Sequence, residues 1–285
     1  MHIDVHTHIF PPEVVQDRQR FYEGEPAFRL LYDSPKAKLG TVEVLLEAME
    51  RDCVHRAVVF GFPWSTTDLM MRHNDYVLES AAKHAPALIP FGCVDPLGSG
   101  SLGEAERCLT NGARGLGELA IYGPADEQIA LRCFEDLIGC CKMLDSMMLV
   151  HANEPVGHWY PGKAPLGLDF YYALARLAAG MPLILAHWGG GLGFYELLKK
   201  DAPETLGKVY YDTAASPFLY QPSMYARMVA IVGVQRILFG SDYPLLSPSR
   251  YFREMTEAGL SSEEIRAISG QNAAVLFGIT ESPSC

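Results

Sequence analysis

Eight short apolar runs alternate with longer amphipathic segments along the chain, and this alternation limits the fold more than any other feature. The runs are rich in β-branched residues, which is typical of strands. They span Ile3–His8, Arg56–Phe62, Leu88–Val94, Ala113–Leu119, Met147–His151, Leu183–His187, Lys208–Thr213 and Arg236–Ser241. Strands that alternate with helices pair in parallel, so eight such units within 285 residues predict a closed (β/α)8 TIM barrel.

The segments between the runs have the apolar spacing of helices. They cover Thr41–Arg51, Asp68–His84, Ser101–Asn111, Asp126–Met143, Asp169–Ala179, Gly193–Lys200, Pro222–Val232 and Ser249–Ala258. Residues Ser261–Gly278 are expected to append one or two C-terminal helices. We find no linker and no internal repeat, so the sequence predicts one barrel domain over residues 1–285.

Two long connections interrupt the alternation, Phe10–Gly40 after the first run and Asn153–Leu168 after the fifth. Both are rich in proline, glycine and aromatic residues. Both follow the carboxyl end of a predicted strand, which is the face where barrel enzymes place their substrate loops. We therefore expect these two loops to shape a binding pocket.

The composition excludes several classes of protein. An apolar content of 49% is typical of a globular chain, and a net charge of −11 argues against a nucleic-acid partner. No apolar run is long enough to span a bilayer, and the N-terminus shows no basic leader. The seven cysteines lack paired CxxC spacings, which favours free thiols in a reducing compartment. The sequence thus predicts a cytoplasmic protein without a membrane partner.

Polar residues stand at the carboxyl ends of five of the predicted strands. Histidine and carboxylate side chains suit zinc and similar divalent ions, and residues i and i+2 of a strand share one face. Gathering these groups in one dry cavity without an ion would be costly, so the set predicts a metal centre. Its members are His6, His8, Glu118, His151, His187 and Asp242.

The same residues resemble a known family. His6-Thr7-His8, His151, Ala186-His187-Trp188-Gly189-Gly190, Phe239-Gly240-Ser241-Asp242-Tyr243-Pro244 and the segment 271–278 are similar to the amidohydrolase superfamily. The best match is its amidohydrolase-related branch, which includes aminocarboxymuconate-semialdehyde decarboxylase. The polymerase-and-histidinol-phosphatase type also opens with an HxH strand, but its final Asp-x-His pair is absent here.

The resemblance implies roles for these residues. His6, His8, His151 and Asp242 would hold one divalent ion, most simply zinc, and Asp242 would orient a water molecule and move its proton. His187 would polarise a substrate carbonyl or relay a proton. Glu118 leaves two alternatives open: it bridges a second ion that His151 and His187 also bind, or it orients a ligand histidine.

We expect substrate contacts from Asn153, His158 and Lys163 on the loop after the fifth strand, and from Trp188 beside His187. The main expectation is a metal-dependent hydrolase of an amide, lactone or ester in a small organic substrate. The alternatives are a metal-dependent, non-oxidative decarboxylase of a small unsaturated or aromatic acid, and a non-catalytic barrel that keeps its metal for stability or binds a ligand. Barrels of this branch often dimerise, so a homodimer stays open.

Overall fold

The computed structural model describes residues 1–280 and contains one sheet of eight parallel strands in sequential order. The strands are β1 (Ile3–His8), β2 (Arg56–Phe60), β3 (Leu88–Gly92), β4 (Gly115–Leu119), β5 (Met147–Val150), β6 (Leu183–Leu185), β7 (Val209–Asp212) and β8 (Ile237–Leu238). The sheet closes because Val5 N–H donates to the Phe239 carbonyl and His8 N–H to the Tyr243 carbonyl, both at 2.8 Å. The predicted (β/α)8 barrel is confirmed.

Helices follow the strands around the outside of this barrel. They are α1 (Pro12–Gln16), α2 (Pro26–Tyr32), α3 (Val42–Arg51), α4 (Thr67–Lys83), α5 (Ser101–Thr110), α6 (Glu127–Met143), α7 (Leu168–Leu177), α8 (Ala202–Leu206), α9 (Ser216–Leu219), α10 (Met224–Val232), α11 (Pro248–Glu257), α12 (Ser262–Arg266) and α13 (Asn272–Phe277). Segments of 3-10 helix cover Arg18–Phe21, His187–Leu197 and Val234–Arg236, and a π-helical turn covers Ala267–Gln271.

The structure departs from the sequence prediction in the segment after β6. The helix expected over Gly193–Lys200 is wrong, since the chain forms a kinked 3-10 segment over His187–Leu197 and then leaves helical geometry. Residues His187 to Gly191 have positive φ, which an α-helix cannot contain, and Leu198 is extended, so only a short 3-10 turn remains between them. The connection Phe10–Gly40 also differs from a plain loop, because it holds α1 and α2.

The core has an inner and an outer part. The inner cluster fills the barrel with strand residues such as Val5, Phe60, Phe91 and Leu149. Helix α13 adds Phe277 to this cluster, and its ring contacts that of Phe91 at a centroid distance of 6.1 Å. The outer cluster lies between strands and helices. A filled interior means that the barrel is a packed scaffold whose polar groups collect at one end.

Two further expectations concern membrane-spanning segments and the state of the cysteines. No helix within residues 1–280 is both long and apolar enough to cross a membrane. The six cysteines of the described part are free thiols, and the seventh, Cys285, lies outside the described residues. The domain prediction also extends over residues 281–285, which the structure does not describe, and it stays a prediction.

Candidate metal centre and cavity

A β-bulge in β1 turns both of its histidines into the barrel. Asp4 pairs with Ala57 and Thr7 with Val59, so β1 has one more residue than β2 over this stretch. The rings of His6 and His8 contact inward-facing Phe60, at centroid distances of 5.1 and 4.7 Å. Strict alternation from the inward-facing Val5 would have pointed Thr7 inward instead. The extra residue therefore aims the HxH pair at the barrel mouth.

A second bulge lies in β4 and presents Glu118. The register shifts between Leu116 and Leu119 relative to β5, and Glu118 is 3% exposed. Gly117, with a φ of +153°, precedes it, and a Cβ atom there would lie 2.7 Å from the Leu149 carbonyl oxygen. Only glycine fits this conformation and spacing. Gly117 thus permits the bend that places the Glu118 carboxylate in the mouth.

One carboxylate oxygen of Glu118 faces the β1 histidines. Glu118 Oε2 lies 3.7 Å from His6 Nε2 and 3.6 Å from His8 Nε2. Asp242 Oδ1, from the loop after β8, lies 3.6 and 3.4 Å from the same two nitrogens. Two imidazoles and two carboxylates therefore converge on one small volume, with separations that leave room for an ion between them.

The other oxygen of Glu118 faces the histidines that follow β5 and β6. Glu118 Oε1 lies 2.9 Å from His151 Nδ1 and 3.4 Å from His187 Nε2, and these two nitrogens are 3.2 Å apart. Glu118 thus belongs to two groups of residues, each with ligand atoms within 4.8 Å of one another. The structure brings together all six of the candidate ligands.

Asp212 at the end of β7 orients two of these histidines. Its Oδ2 lies 2.9 Å from His6 Nδ1, and its Oδ1 accepts the backbone N–H of His187 at 2.9 Å. The first contact turns His6 Nε2 towards the centre, as a carboxylate behind a metal-binding histidine does. The second holds His187 in a left-handed backbone conformation with a φ of 53°.

Asp242 is held in a similar way. Its backbone is also left-handed, with a φ of 59°, and its N–H donates to the His6 carbonyl at 2.9 Å. Such conformations cost a non-glycine residue about 1 kcal/mol or more. Contacts from β1 and β7 therefore hold two candidate ligands in backbone conformations that neither residue adopts readily by itself.

The charges of the cluster stabilise one another. Burial opposes the charge on His6 and His187, but Glu118 outweighs it, raising the pKa of His187 to about 9 and that of His6 well above its usual range, with help from Asp212. Burial would likewise raise the carboxyl pKa values. Hydrogen bonding and the histidines instead hold the pKa of Glu118 well below its usual range and lower that of Asp242 to about 2. The pocket therefore stabilises positive charge beside its two carboxylates.

The residues present fit a divalent cation. His6 Nε2, which faces Glu118 and Asp242, is buried and has no hydrogen-bond partner within residues 1–280. A buried nitrogen without a partner is costly, and a lone pair directed at a cation removes that cost. Imidazole with carboxylate is also a donor set for zinc, manganese or iron. The donor set therefore suits several divalent metals.

A cavity of about 510 Å³ opens directly above the cluster. Its floor contains His8, Glu118, His151, His187 and Asp242. Its walls are mainly apolar and aromatic, with Tyr32, Phe62, Tyr122, Tyr160 and Phe218. Phe62 and Tyr122 are nearly parallel, at 6° and a centroid distance of 6.1 Å. The volume lies within the range of small-molecule sites, and the walls suit a flat ring.

The four expected substrate contacts have different positions. His158 lines the cavity. Asn153 is buried and closes its own loop, accepting from Ala164 N–H at 2.7 Å. Lys163 donates to the Val156 carbonyl at 2.6 Å and pairs with Glu154. Trp188 is fully buried, donates to Ser216 and packs on Tyr225. Asn153, Lys163 and Trp188 are therefore structural supports of the loops and do not line the cavity.

The sequence analysis did not predict several of the residues that line the cavity. Tyr32 and Lys38 come from the long connection after β1, and Tyr122 follows β4. The hydroxyls of Tyr32 and Tyr122 have no protein partner within the described chain, and burial raises the pKa of both phenols. The only signal for Tyr32 and Lys38 was their place in a long loop at the functional face.

Comparison with known families identifies the chain. A family model described as "Amidohydrolase" matches residues 3–279. The chain belongs to the amidohydrolase family. This confirms the resemblance drawn from the HxH strand and the segments around His187 and Asp242. No protein of curated function matches the chain in sequence.

Solved structures share the fold across nearly the whole chain. 5-Carboxyvanillate decarboxylase from Sphingomonas paucimobilis has 15% identity and a TM-score of 0.74, covering 98% of this chain and 99% of its own. 2,6-Dihydroxybenzoate decarboxylase from Rhizobium has 16% identity and a TM-score of 0.71, with the same coverages. Dihydroxybenzoic acid decarboxylase from Polaromonas sp. JS666, solved with manganese and the inhibitor 2-nitroresorcinol, has 17% identity and a TM-score of 0.70, covering 99% and 98%.

Proposed function

We propose that this chain is a metal-dependent, non-oxidative decarboxylase of a small aromatic carboxylic acid. The observation that carries the proposal is the aromatic-walled cavity, which ends directly on the buried cluster of histidines and carboxylates. Three compared enzymes of the same fold are named as decarboxylases of aromatic acids, and this favours decarboxylation over the hydrolysis first expected from the sequence.

The ligand assignment is part of this proposal. His6, His8 and Asp242 form the first ligand group with Glu118 Oε2, and His151 approaches from the other side of Glu118. A divalent ion bound there would supply positive charge that attracts the substrate carboxylate and a neighbouring ring oxygen. Manganese is the ion named for the Polaromonas enzyme, and zinc remains the prediction from the sequence.

The chain's own residues would perform the remaining chemistry. The bond between ring and carboxylate breaks, its electron pair stays on the ring carbon, carbon dioxide leaves, and the carbon takes up one proton. His187 Nε2 and the Asp242 carboxyl group both reach the cavity floor and are the candidates to deliver that proton. The side chains of Phe62 and Tyr122 would hold the ring, and the neutral phenols of Tyr32 and Tyr122 can donate hydrogen bonds to its oxygens.

A product assay tests this proposal. Manganese-loaded protein is incubated in heavy water with 2-hydroxybenzoate, 2,6-dihydroxybenzoate and 5-carboxyvanillate, and carbon dioxide and the aromatic product are quantified. We expect equal amounts of both, with one deuterium on the ring carbon. Asp242→Asn and His187→Asn should each lower the rate by about 100-fold or more, because each removes a proton-transfer group. Asp136→Asn, an exposed carboxylate on α6, is the matched control and should keep the rate.

Hydrolysis is the second candidate, and the position of Glu118 favours it. Its two oxygens face two separate histidine groups, as a carboxylate shared by two ions would. Two ions per chain that fall to one in Glu118→Gln would support this candidate. Esters, lactones and amides tested in ¹⁸O-labelled water complete the comparison. Incorporation of ¹⁸O into a product, with no carbon dioxide from any aromatic acid, would contradict decarboxylation and support hydrolysis.

A further inference from the structure

The rim of the cavity carries a cation that the proposed reaction does not use. Lys38 is the single lysine or arginine among the described residues that line the cavity. It lies on the loop between α2 and α3, and the residues of the floor come from the strand ends. Lys163, which the sequence analysis had included among the expected substrate contacts, is bound within its own loop through its ammonium.

Hydrogen bonds connect Lys38 to the loop that carries Asp242. Its ammonium donates to the Leu245 carbonyl at 3.2 Å, and Leu245 N–H donates to the carbonyl of Asp242 at 2.8 Å. The preceding segment is tied down by Arg18, which donates to the Ala37 carbonyl at 2.7 Å. Lys38 is therefore attached to the same loop as Asp242, at the rim above it.

The ammonium of Lys38 has capacity for a ligand. An ammonium has three donors, and the contact with Leu245 uses one. Within residues 1–280, no carboxylate lies within ion-pair distance of Lys38, although the chain has 34 acidic and 23 basic residues and a net charge of −11. A cation left unpaired beside an apolar cavity in so acidic a protein is placed to attract an anion.

Resting on the proposed function, we infer that Lys38 selects substrates with a second acidic group, located on the ring away from the carboxylate that is lost. The floor would hold the reacting carboxylate, the parallel rings of Phe62 and Tyr122 would border the aromatic ring, and the rim would meet the second group. The substrate class is then an aromatic diacid, distinct from a benzoate with hydroxyl groups alone.

Binding measurements separate this inference from the proposed function. The manganese-loaded protein is titrated by calorimetry with 2-hydroxybenzoate and with its carboxylated analogues 4-hydroxyisophthalate and 2-hydroxyterephthalate. We expect at least one diacid to bind about fivefold more tightly than the monoacid, the size of an ion pair with the exposed Lys38. Lys38→Met should remove this preference by weakening diacid binding more than monoacid binding, and Lys38→Arg should retain it.

The matched control is Lys36→Met, which removes an exposed lysine of the same loop that does not line the cavity. It should keep the diacid preference of the wild type. A wild-type protein that binds the monoacid but shows no diacid preference would overturn the inference alone, as would a preference that survives in Lys38→Met. Failure of the loaded wild type to bind any of the acids would overturn the proposed function and this inference with it.

Discussion

At the scale of single residues, the candidate centre depends on side chains that do not themselves face the cavity. Asp212 is fully buried and contacts His6 through one oxygen and the backbone of His187 and Ala214 through the other. The sequence analysis could place a carboxylate at the end of this strand, but not its partner, because His6 lies 206 residues away. Only the closure of the barrel through β8 brings the ends of β7 and β1 close together.

Replacing Asp212 by asparagine should weaken metal binding. The asparagine side chain would present an amide that can donate its own protons, so His6 would no longer be held with Nε2 turned towards the ion. We expect the affinity for manganese to fall by about 10- to 100-fold, measured by competition with a fluorescent chelator. Asp169→Asn, an exposed position on α7, is the control. Equal affinities in Asp212→Asn and the wild type would show that His6 needs no such support.

His73 predicts a dependence of stability on pH. Burial lowers its pKa from 6.5 to about 4, and the neutral ring lies 2.8 Å from Trp64 Nε1 and 2.6 Å from the Ile9 carbonyl. Between these two pKa values the unfolded chain binds a proton that the folded chain does not, so stability falls as the pH decreases from about 6.5 to about 4. The full loss is about 3 kcal/mol.

Urea unfolding across this pH range measures the effect. Below pH 6.5 the free energy of unfolding of His73→Gln should fall much less than that of the wild type. His84→Gln, at the residue that follows α4, should show the same fall as the wild type. The comparison rests on the slope with pH in each variant, so a lower overall stability of His73→Gln does not obscure it. An unchanged slope in His73→Gln would mean that another group titrates.

At the scale of elements, the eight strands and their order were predictable because hydrophobic period and strand spacing are local properties. The ends of the strands were not predictable. Strands β6 and β8 end at Leu185 and Leu238, before the polar residues that the sequence analysis had assigned to them. The bulges that aim His6 and Glu118 were also not predictable, because a register shift is a property of two paired strands. The helix predicted over Gly193–Lys200 was wrong because the left-handed run before it and the extended Leu198 after it leave only a short 3-10 turn, and the apolar spacing indicates neither.

The packing of that loop against the loop after β5 gives an element-scale prediction. A Cβ atom on Gly190 would lie 2.3 Å from the Asn153 carbonyl oxygen, whereas one on Gly191 would meet nothing within 4 Å. Both residues have positive φ, so both alanine variants carry a backbone cost of about 1 kcal/mol. Gly190→Ala should lose about 1–3 kcal/mol more, because the two loops must move apart. Equal denaturation midpoints for the two variants would contradict this packing.

At the scale of the whole molecule, barrel closure explains why residues from β1 and from the ends of β4, β5, β6 and β8 meet at one point. The sequence could predict the six candidate ligands that the structure brings together, since each follows or ends a predicted strand. Of the three substrate contacts predicted on the loop after β5, only His158 lines the cavity, because Lys163 turns back into its own loop, and Lys38 at the rim was not predicted. The polar floor and apolar walls together define a site for a small molecule.

The metal content per chain tests the central claim most directly. Purified wild-type protein, dialysed with manganese and then freed of excess ion, is compared by elemental analysis with His6→Asn and with His84→Asn, whose ring lies outside the centre. We predict that the wild type and His84→Asn retain the ion and that folded His6→Asn, checked by circular dichroism, does not. A wild type that retains no divalent metal, or a His6→Asn variant that retains as much as the wild type, would contradict the assignment of this cluster as a metal centre.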